Sequence, residues 1–558
     1  MANLDTRTKR ASSVGHLIPS TLAPPLPDGT ISVNDRRHIP WSYDGGSLIT
    51  DGPWLEVDWN NDGDFDDTGE NIKAYAIVGI KTYRGRDGTS QLTGRSNAGT
   101  LTATLLNIDG RFSSFNSSSP LAGSLLPSRP IRLRYASSGS LYPVWQGFLD
   151  SITPNAARDR LPTATLRASG PLAWINDPRR QVSVAMSTSV QTGTQVGVIL
   201  TAAGWSLTAR TIDAGQTTMT RFWFTKQSAL SGIRKIEDTE GGFLREGPTG
   251  YIIFEDREHR LVAPHTVSQA TYSDAVASTL SYEQIQQADP WSDIYNLFEA
   301  PIQLYSIGAL TDLWTLAASG SSSPSIPAGE SRTFWANFPT ADQAAQALSV
   351  DAWTTPVVTT DYTANSQADG LGSDLSASVS VSVSKFANSM KIILTNNHAT
   401  STAYITLLKA RGTPVNALDV FTMKAEDTTS QTAFGTRTFP HPGEFVPTAQ
   451  EGQDWADFNL GIYKDPIPQL TLMLNSKRNT STLVEVLTRD ISDRVTVVAT
   501  GDRTKLGINE DFYVEAVAHN IDKNGALTTT FLLSPSTSYA GFWVLGTSLL
   551  GESTKLAY

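Results

Sequence analysis

The sequence predicts a mainly β, multidomain protein, and three observations predict it. Short segments rich in Val, Ile, Thr and aromatic residues recur about every 8 to 12 residues, alternate apolar with polar side chains, and are separated by Asp, Asn and Gly turns. Charged residues make up only 17% of the chain, while 13 Trp, 16 Tyr and 20 Phe supply large apolar surfaces for burial. At 558 residues the chain exceeds what one hydrophobic core serves, so about three to five domains are expected.

Residues 1–48 show neither helix nor strand periodicity, and the prolines between Pro19 and Pro27 bar a helix. They read as an extended N-terminal arm, either a disordered tail or a strap over a neighbouring subunit anchored by Leu, Ile and Trp41. Residues 49–185 carry strand signals at 54–58, 76–83, 99–107, 131–135, 142–150 and 163–168, a spacing that predicts a first barrel or sandwich.

Residues 186–300 predict a small α/β domain. Its first helix, 195–205, places Val196, Ile199 and Leu200 on one face and stops at Gly204; its second, 229–240, aligns Leu230, Ile233 and Ile236 and breaks at Gly241 and Gly242. Strands at 242–246 and 250–257 follow. Residues 301–420 change composition, with a flexible Ser/Pro stretch at 317–327 and strands at 376–384 and 391–395, and predict an inserted β-sandwich. In 376–384, strict Ser/Val alternation gives one apolar face and one hydroxyl face, the pattern of a half-buried sheet. Residues 421–466 are a return segment whose helix, 449–463, stripes Trp455, Phe458 and Ile462 before Pro466. Residues 467–535, with strands read across 483–498, 511–519 and 525–535, predict a second barrel, and 536–558 is a C-terminal tail.

Charge and composition exclude several functions. A net charge of −11 disfavours specific nucleic-acid binding, which needs clustered Lys and Arg, but lets DNA pass without adhering. With no cysteine there is neither a disulfide framework nor a thiolate site. No apolar run reaches the roughly 18 to 20 residues of a membrane span, and the basic N-terminus lacks the apolar stretch of a secretory signal, so a soluble protein made in a cytoplasm is expected. The seven histidines are scattered, no metalloprotease, serine-hydrolase or P-loop motif occurs, and acidic pairs such as Glu255-Asp256 read as surface. No enzymatic activity is expected.

One loop carries chemistry. From Asp58 to Glu70, the residues Asp58, Asn60, Asp62 and Gly63 match the opening of a calcium loop, in which hard oxygen ligands gather around a glycine turn, and Asp64 and Asp66 add further oxygens. The twelfth position is Gly69, with Glu70 one residue late, and no helix flanks the loop. Asp58, Asn60, Asp62, Asp64 and Asp66 are therefore the candidate calcium ligands. An acidic, solvated hairpin turn is the other reading of the same residues.

Two ordered sets of motifs resemble the tail hub proteins of tailed bacteriophages, the siphophage tail-tip family. The first set is Arg84-Gly-Arg86, Asn107-Ile-Asp-Gly-Arg-Phe112, Arg129-Pro-Ile-Arg-Leu-Arg134 and Gly147-Phe-Leu149; the second is Ser492-Asp-Arg-Val-Thr-Val497, Phe512-Tyr-Val-Glu-Ala-Val-Ala-His-Asn-Ile521 and Thr528-Thr-Thr-Phe-Leu-Leu-Ser-Pro535. Between them, the helix, double glycine and strand pair ending at Arg257, and the stretch from Asp454 to Leu472, are also similar to hub elements. The resemblance covers about 50–300 and 400–558. It implies two tail-tube-like hub β-barrels per chain, a homotrimer whose six modules continue the hexameric tail tube, and a place at the virion tail tip after assembly in the host cytoplasm. It also implies a role in host attachment and DNA ejection. The implied partners are the distal tail protein ring, the tape-measure protein, and tail fibre or receptor-binding proteins. Some hubs carry a peptidase or lysozyme domain, and nothing here matches either. A competing class is a carbohydrate-binding or depolymerising tail protein, with Trp291, Trp314, Trp335 and Trp353 as a sugar platform, although scattered Trp is more often core.

Overall fold

In a computed structural model the described residues are 51–87, 92–158, 160–275, 278–288, 291–316, 323–338, 347–477, 480–501 and 504–536. The 1–48 arm and 537–558 of the C-terminal tail lie outside them. Among the described residues, one twelve-stranded sheet organises the molecule. Its order runs Gly52–Val57, Pro130–Ser137, Ser140–Ala157, Arg160–Ser169, Thr100–Leu106, Ala76–Gly85, Ile508–Ile521, Leu527–Pro535, Gln469–Asn475 and Gln284–Ala288. Arg494–Ala499 also pairs with Ile508–Ile521 and carries Thr271–Ser273 in parallel.

All six strands predicted for the first module form, but the two modules are not separate barrels. The second edge of Ala76–Gly85 pairs antiparallel with Ile508–Ile521, from Ile80 opposite Ile521 to Gly85 opposite Ala516. A strand whose edges are taken by Thr100–Leu106 on one side and by the C-terminal module on the other cannot close the first module on itself. The pairings therefore trace an open path through both modules, and one buried core runs through both, from Leu55 and Trp145 to Phe531 and Leu533.

Two further differences from the sequence reading follow from local patterning. Residues 483–488, read as strand, belong to the helix Thr480–Thr488, because Leu483, Val486 and Leu487 fall at helical spacing and Glu485 pairs with Arg489 at 2.8 Å one turn on. Thr271–Ser273 and Gln284–Ala288, within the predicted α/β range, instead add to the C-terminal half of the large sheet.

The α/β module contains the helices Thr192–Ala202 and Ala229–Glu240 and the three-stranded sheet of Phe243–Glu246, Ile252–Glu255 and Arg210–Ile212. A hairpin of Gln181–Gln191 with Thr218–Ser228 joins it. Helix Ala229–Glu240 starts where the Ser228 hydroxyl accepts from the Ser231 N–H and ends at Gly241, at φ +66°, matching its predicted limits. The insertion is a sandwich: Ala403–Ala417 gathers five short strands, and Ser331–Asn337, Ser389–Asn396 and Val379–Lys385 make the facing sheet over a shared core that includes Phe334, Ile392 and Ile405. In Val379–Lys385 the valines pack toward that core while Ser380, Ser382 and Ser384 are exposed. The return segment builds its own small unit, in which Leu297–Ile302 pairs with Phe421–Glu426 and Thr438–Pro440 under the helix Ala449–Tyr463.

The seam between modules requires glycine at two points. Gly79 (φ +132°) and Gly85 (φ +115°) occupy left-handed backbone, and a Cβ would stand 2.6 Å from the Ile521 carbonyl oxygen and 2.4 Å from that of Glu515, respectively. Both obstacles are backbone atoms, which cannot swing aside. Gly85→Ala is expected to destabilise the protein by more than about 1 kcal/mol, combining left-handed strain with a steric clash across the seam. Urea titration of the purified chain measures this, and an unchanged midpoint would mean that the seam is not packed as described.

Candidate functional site

The acidic loop grows out of the edge of the large sheet. An antiparallel bridge between Glu56 and Asn71, with the Val57 N–H donating to the Glu70 carbonyl at 3.0 Å, brings the two ends of the loop together. Asn61 (φ +63°), Gly63 (φ +98°) and Gly69 (φ +95°) turn the chain between them. Asp58 is fully buried and accepts from the backbone N–H groups of Asn61 and Gly63; Asn60 accepts from the Asp62 N–H at 3.2 Å, and Asp62 and Asp64 accept from the N–H groups two residues on, each at 3.3 Å.

The five predicted ligands are therefore arranged as a ladder of side-chain turns. Among the described residues, no group of three or more His, Asp or Glu side chains stands ready to hold a metal ion. Asp64 and Asp66 face each other, and burial together with Asp66 and Asp62 pushes Asp64 up to about 6. Burial likewise raises Asp58 to about 6. Glu70, which sequence reading left outside the ligand set, is 2% exposed and lies against Asp58, Asp67 and Asp62; burial and these charges push it up to about 8. The signal that could have found it is a lone glutamate at the loop's closing position.

The second concentration of chemistry lies at the seam, where three modules meet through buried charge. Glu515, in the centre of Ile508–Ile521, accepts from Arg86 Nε at 2.8 Å, from Arg260 Nη1 at 2.5 Å and Nη2 at 3.0 Å, and from the Ser534 hydroxyl at 2.6 Å. The first module thus supplies Arg86, the α/β module's adjoining segment supplies Arg260, and the C-terminal module supplies the carboxylate. Asp490 accepts from Arg84 Nη1 and from Arg245 Nη1, each at 3.0 Å, and Arg245 Nε donates to Glu255 at 2.5 Å. Burial opposes the charge on Glu515 and Asp490, but the neighbouring arginines hold each down to about 2. Glu246 accepts from the N–H groups of Gly99 at 2.8 Å and Leu172 at 2.7 Å, and burial pushes it up to about 7. The Arg86 guanidinium lies 3.7 Å from the centre of the Phe243 ring.

None of these arginines or carboxylates was singled out from sequence for such a role. The signal was present: Arg84 and Glu515 stand within largely apolar strands and Arg86 directly follows the first of them, where an unpaired charge is too costly to bury. The other arginine motif has an equivalent explanation, since Arg132 Nε and Arg134 Nε donate to the buried Glu56 on the neighbouring strand at 2.9 and 2.7 Å.

The four tryptophans do not assemble into a platform. Trp353 is in the sandwich core with its indole N–H on the Phe386 carbonyl, and Trp314 packs against that core. Trp335 is half-exposed and stacks on Phe386, whereas Trp291 lies outside the sandwich beneath the Arg437 guanidinium.

No family model matches the sequence, and no curated protein matches it either. Among solved structures the similarity runs to tail proteins. The 43 kDa tail protein of prophage MuSo2 from Shewanella oneidensis is 11% identical at a TM-score of 0.44, over 87% of this chain and 99% of that one. A tail protein from Neisseria meningitidis MC58 is 8% identical at a TM-score of 0.46, over 88% and 98%. Prophage tail protein gp18 from Listeria monocytogenes EGD-e is 9% identical at a TM-score of 0.38, over 87% and 94%.

Replacing Glu515 by Gln leaves Arg86 and Arg260 without their countercharge and is expected to destabilise the chain by about 3–5 kcal/mol at pH 7. The native pKa of Glu515, about 2, lies below its unfolded value, so its contribution is complete above about pH 4.5 and is lost as pH falls toward 2. The gap between wild type and variant should therefore narrow across that window. Denaturant titrations at pH 7, 4 and 3 measure it; a gap that is constant with pH would mean Glu515 is not held ionised by the arginines.

Proposed function

We propose that this chain is a structural, non-enzymatic hub of a phage tail tip, in which three copies close the end of the tail tube and form part of the DNA ejection conduit. The observation that carries the reading is the edge-to-edge fusion of two modules: the strands bearing the first motif set and those bearing the second lie in one sheet, joined at Ala76–Gly85 and Ile508–Ile521. A chain that rigidly couples two such modules offers two of the six positions of a sixfold tube, so three chains complete the ring. The distal tail ring and tape-measure protein would sit on one side, and fibres or receptor-binding proteins on the other. A net charge of −11 suits a conduit, because a negative wall repels the phosphate backbone rather than trapping it. No observation favours the carbohydrate reading, since the tryptophans proposed for it are divided between core and separate surfaces.

Native mass spectrometry of the purified full chain tests the proposal. A species at three times the 60.2 kDa chain mass is expected. A persistent monomer or a hexamer across the tested concentrations would overturn it.

A further inference from the structure

We infer that the 58–70 loop binds one hard divalent cation of the calcium class, through Asp58 and Glu70 at its root with Asp62 and Asp67 above them, and not through Asp64 and Asp66. The Glu56–Asn71 bridge places residues 58 and 70 directly inside the closed end of the hairpin, and the Ile72 N–H donating to the Leu55 carbonyl at 2.8 Å extends the clamp. The pairing sets Glu70 opposite Val57 and Asp58 one residue further on, and both carboxylates are buried at the root of the loop.

The second, independent observation is the Glu70 side chain. One of its oxygens, Oε2, accepts from the Asp67 N–H at 2.9 Å, but Oε1 is buried and has no hydrogen-bond partner, in a residue only 2% exposed. A buried carboxylate oxygen left without a donor is costly unless a charge compensates it. Elsewhere on this sheet arginine supplies that charge, as Arg132 and Arg134 do for Glu56 and as Arg86 and Arg260 do for Glu515. Around Asp58 and Glu70 the described residues contribute backbone N–H groups, further carboxylates and the Asn60 side-chain amide, which donates to Asp62 at 2.9 Å and to Asp67 at 2.6 Å, instead of an arginine. A cation would satisfy Glu70 Oε1 and offset the mutual repulsion of Asp58, Asp62, Asp67 and Glu70 at once.

The chemistry of the donor set selects the ion. All the candidate donors are oxygens: four carboxylates, the Asn60 side-chain carbonyl and loop carbonyls, which suit calcium's flexible six-to-eight-fold coordination better than magnesium's strict octahedron. The four carboxylates do not stand in ligand geometry in this structure, where the Asn60 amide bridges Asp62 and Asp67, so binding requires these two to move inward, and each keeps lone pairs for a metal while it accepts an N–H. Left-handed Gly69 lets Glu70, one position late for a helix-flanked loop, act as the closing ligand.

The test uses the full chain. Calcium titration by calorimetry should give saturable 1:1 binding, and terbium should show emission sensitised by Trp59, whose indole N–H lies on the Gly69 carbonyl at 3.1 Å, with calcium displacing it. Glu70→Gln is expected to weaken calcium binding by about tenfold or more, and the exposed Asp67→Asn to weaken it less, while Asp64→Asn changes it less than about twofold. Asp67→Asn keeps the test decisive if Glu70→Gln fails to fold. Absence of calcium uptake by the wild-type chain, wild-type affinity in both Glu70→Gln and Asp67→Asn, or an equal loss in Asp64→Asn would each overturn the inference.

Discussion

Everything in this molecule depends on one strand pairing. The first and last modules are joined where Ala76–Gly85 lies against Ile508–Ile521, and Arg86 meets Glu515 across a sequence separation of 429 residues. Such a pairing carries a large loop-closure cost that it cannot recover from a few backbone hydrogen bonds. What offsets the cost is the apolar core that the pairing completes, a single body of buried side chains to which both modules contribute. The intervening modules are thus held between two ends that are fixed to each other.

The charged network at the seam specifies this arrangement more than it stabilises it. Burying ion pairs gains little over well-packed apolar side chains, but leaving one partner alone is expensive. Because Glu515 needs Arg86 from one module and Arg260 from another, a slipped register or a missing module leaves a charge buried and unpaired. Asp490 acts in the same way between Arg84 and Arg245. The two glycines add a steric condition of the same kind, since the strands approach so closely at Gly79 and Gly85 that no side chain fits. For a subunit proposed to set the geometry of a ring, fixing the angle between its modules matters more than raw stability.

Strand positions were legible in the sequence because alternation reports burial on one face directly. All six strands of the first module, the limits of helices Ala229–Glu240 and Ala449–Tyr463, and the Ser/Val strand of the insertion from Val379 onward follow from periodicity and caps, whereas Ser376–Ser378, read as part of that strand, forms a short helical turn. The helix Thr480–Thr488 was missed because Leu-Val-Glu-Val-Leu is β-branched enough to resemble a strand, and only the spacing of Leu483, Val486 and Leu487 against the core reveals it. The seam was legible only as charged residues within apolar strands, without their partners. Pairing between distant edges leaves no local signature, and its clue, charged residues within apolar strands, acquires meaning only once the partners are known. The acidic loop was half legible: its turn residues were evident, but which carboxylates share its root depends on the Glu56–Asn71 bridge, a long-range fact.

The most direct measurement is native-state hydrogen exchange along the seam. If the two modules form one cooperative sheet, the paired amides of 80–85 and 516–521 should exchange only through global opening, with the same protection as the centre of the shared core. Exchange of the seam amides at a markedly lower free energy than the interiors of the two modules would show that the modules fold and open separately, and would contradict the account.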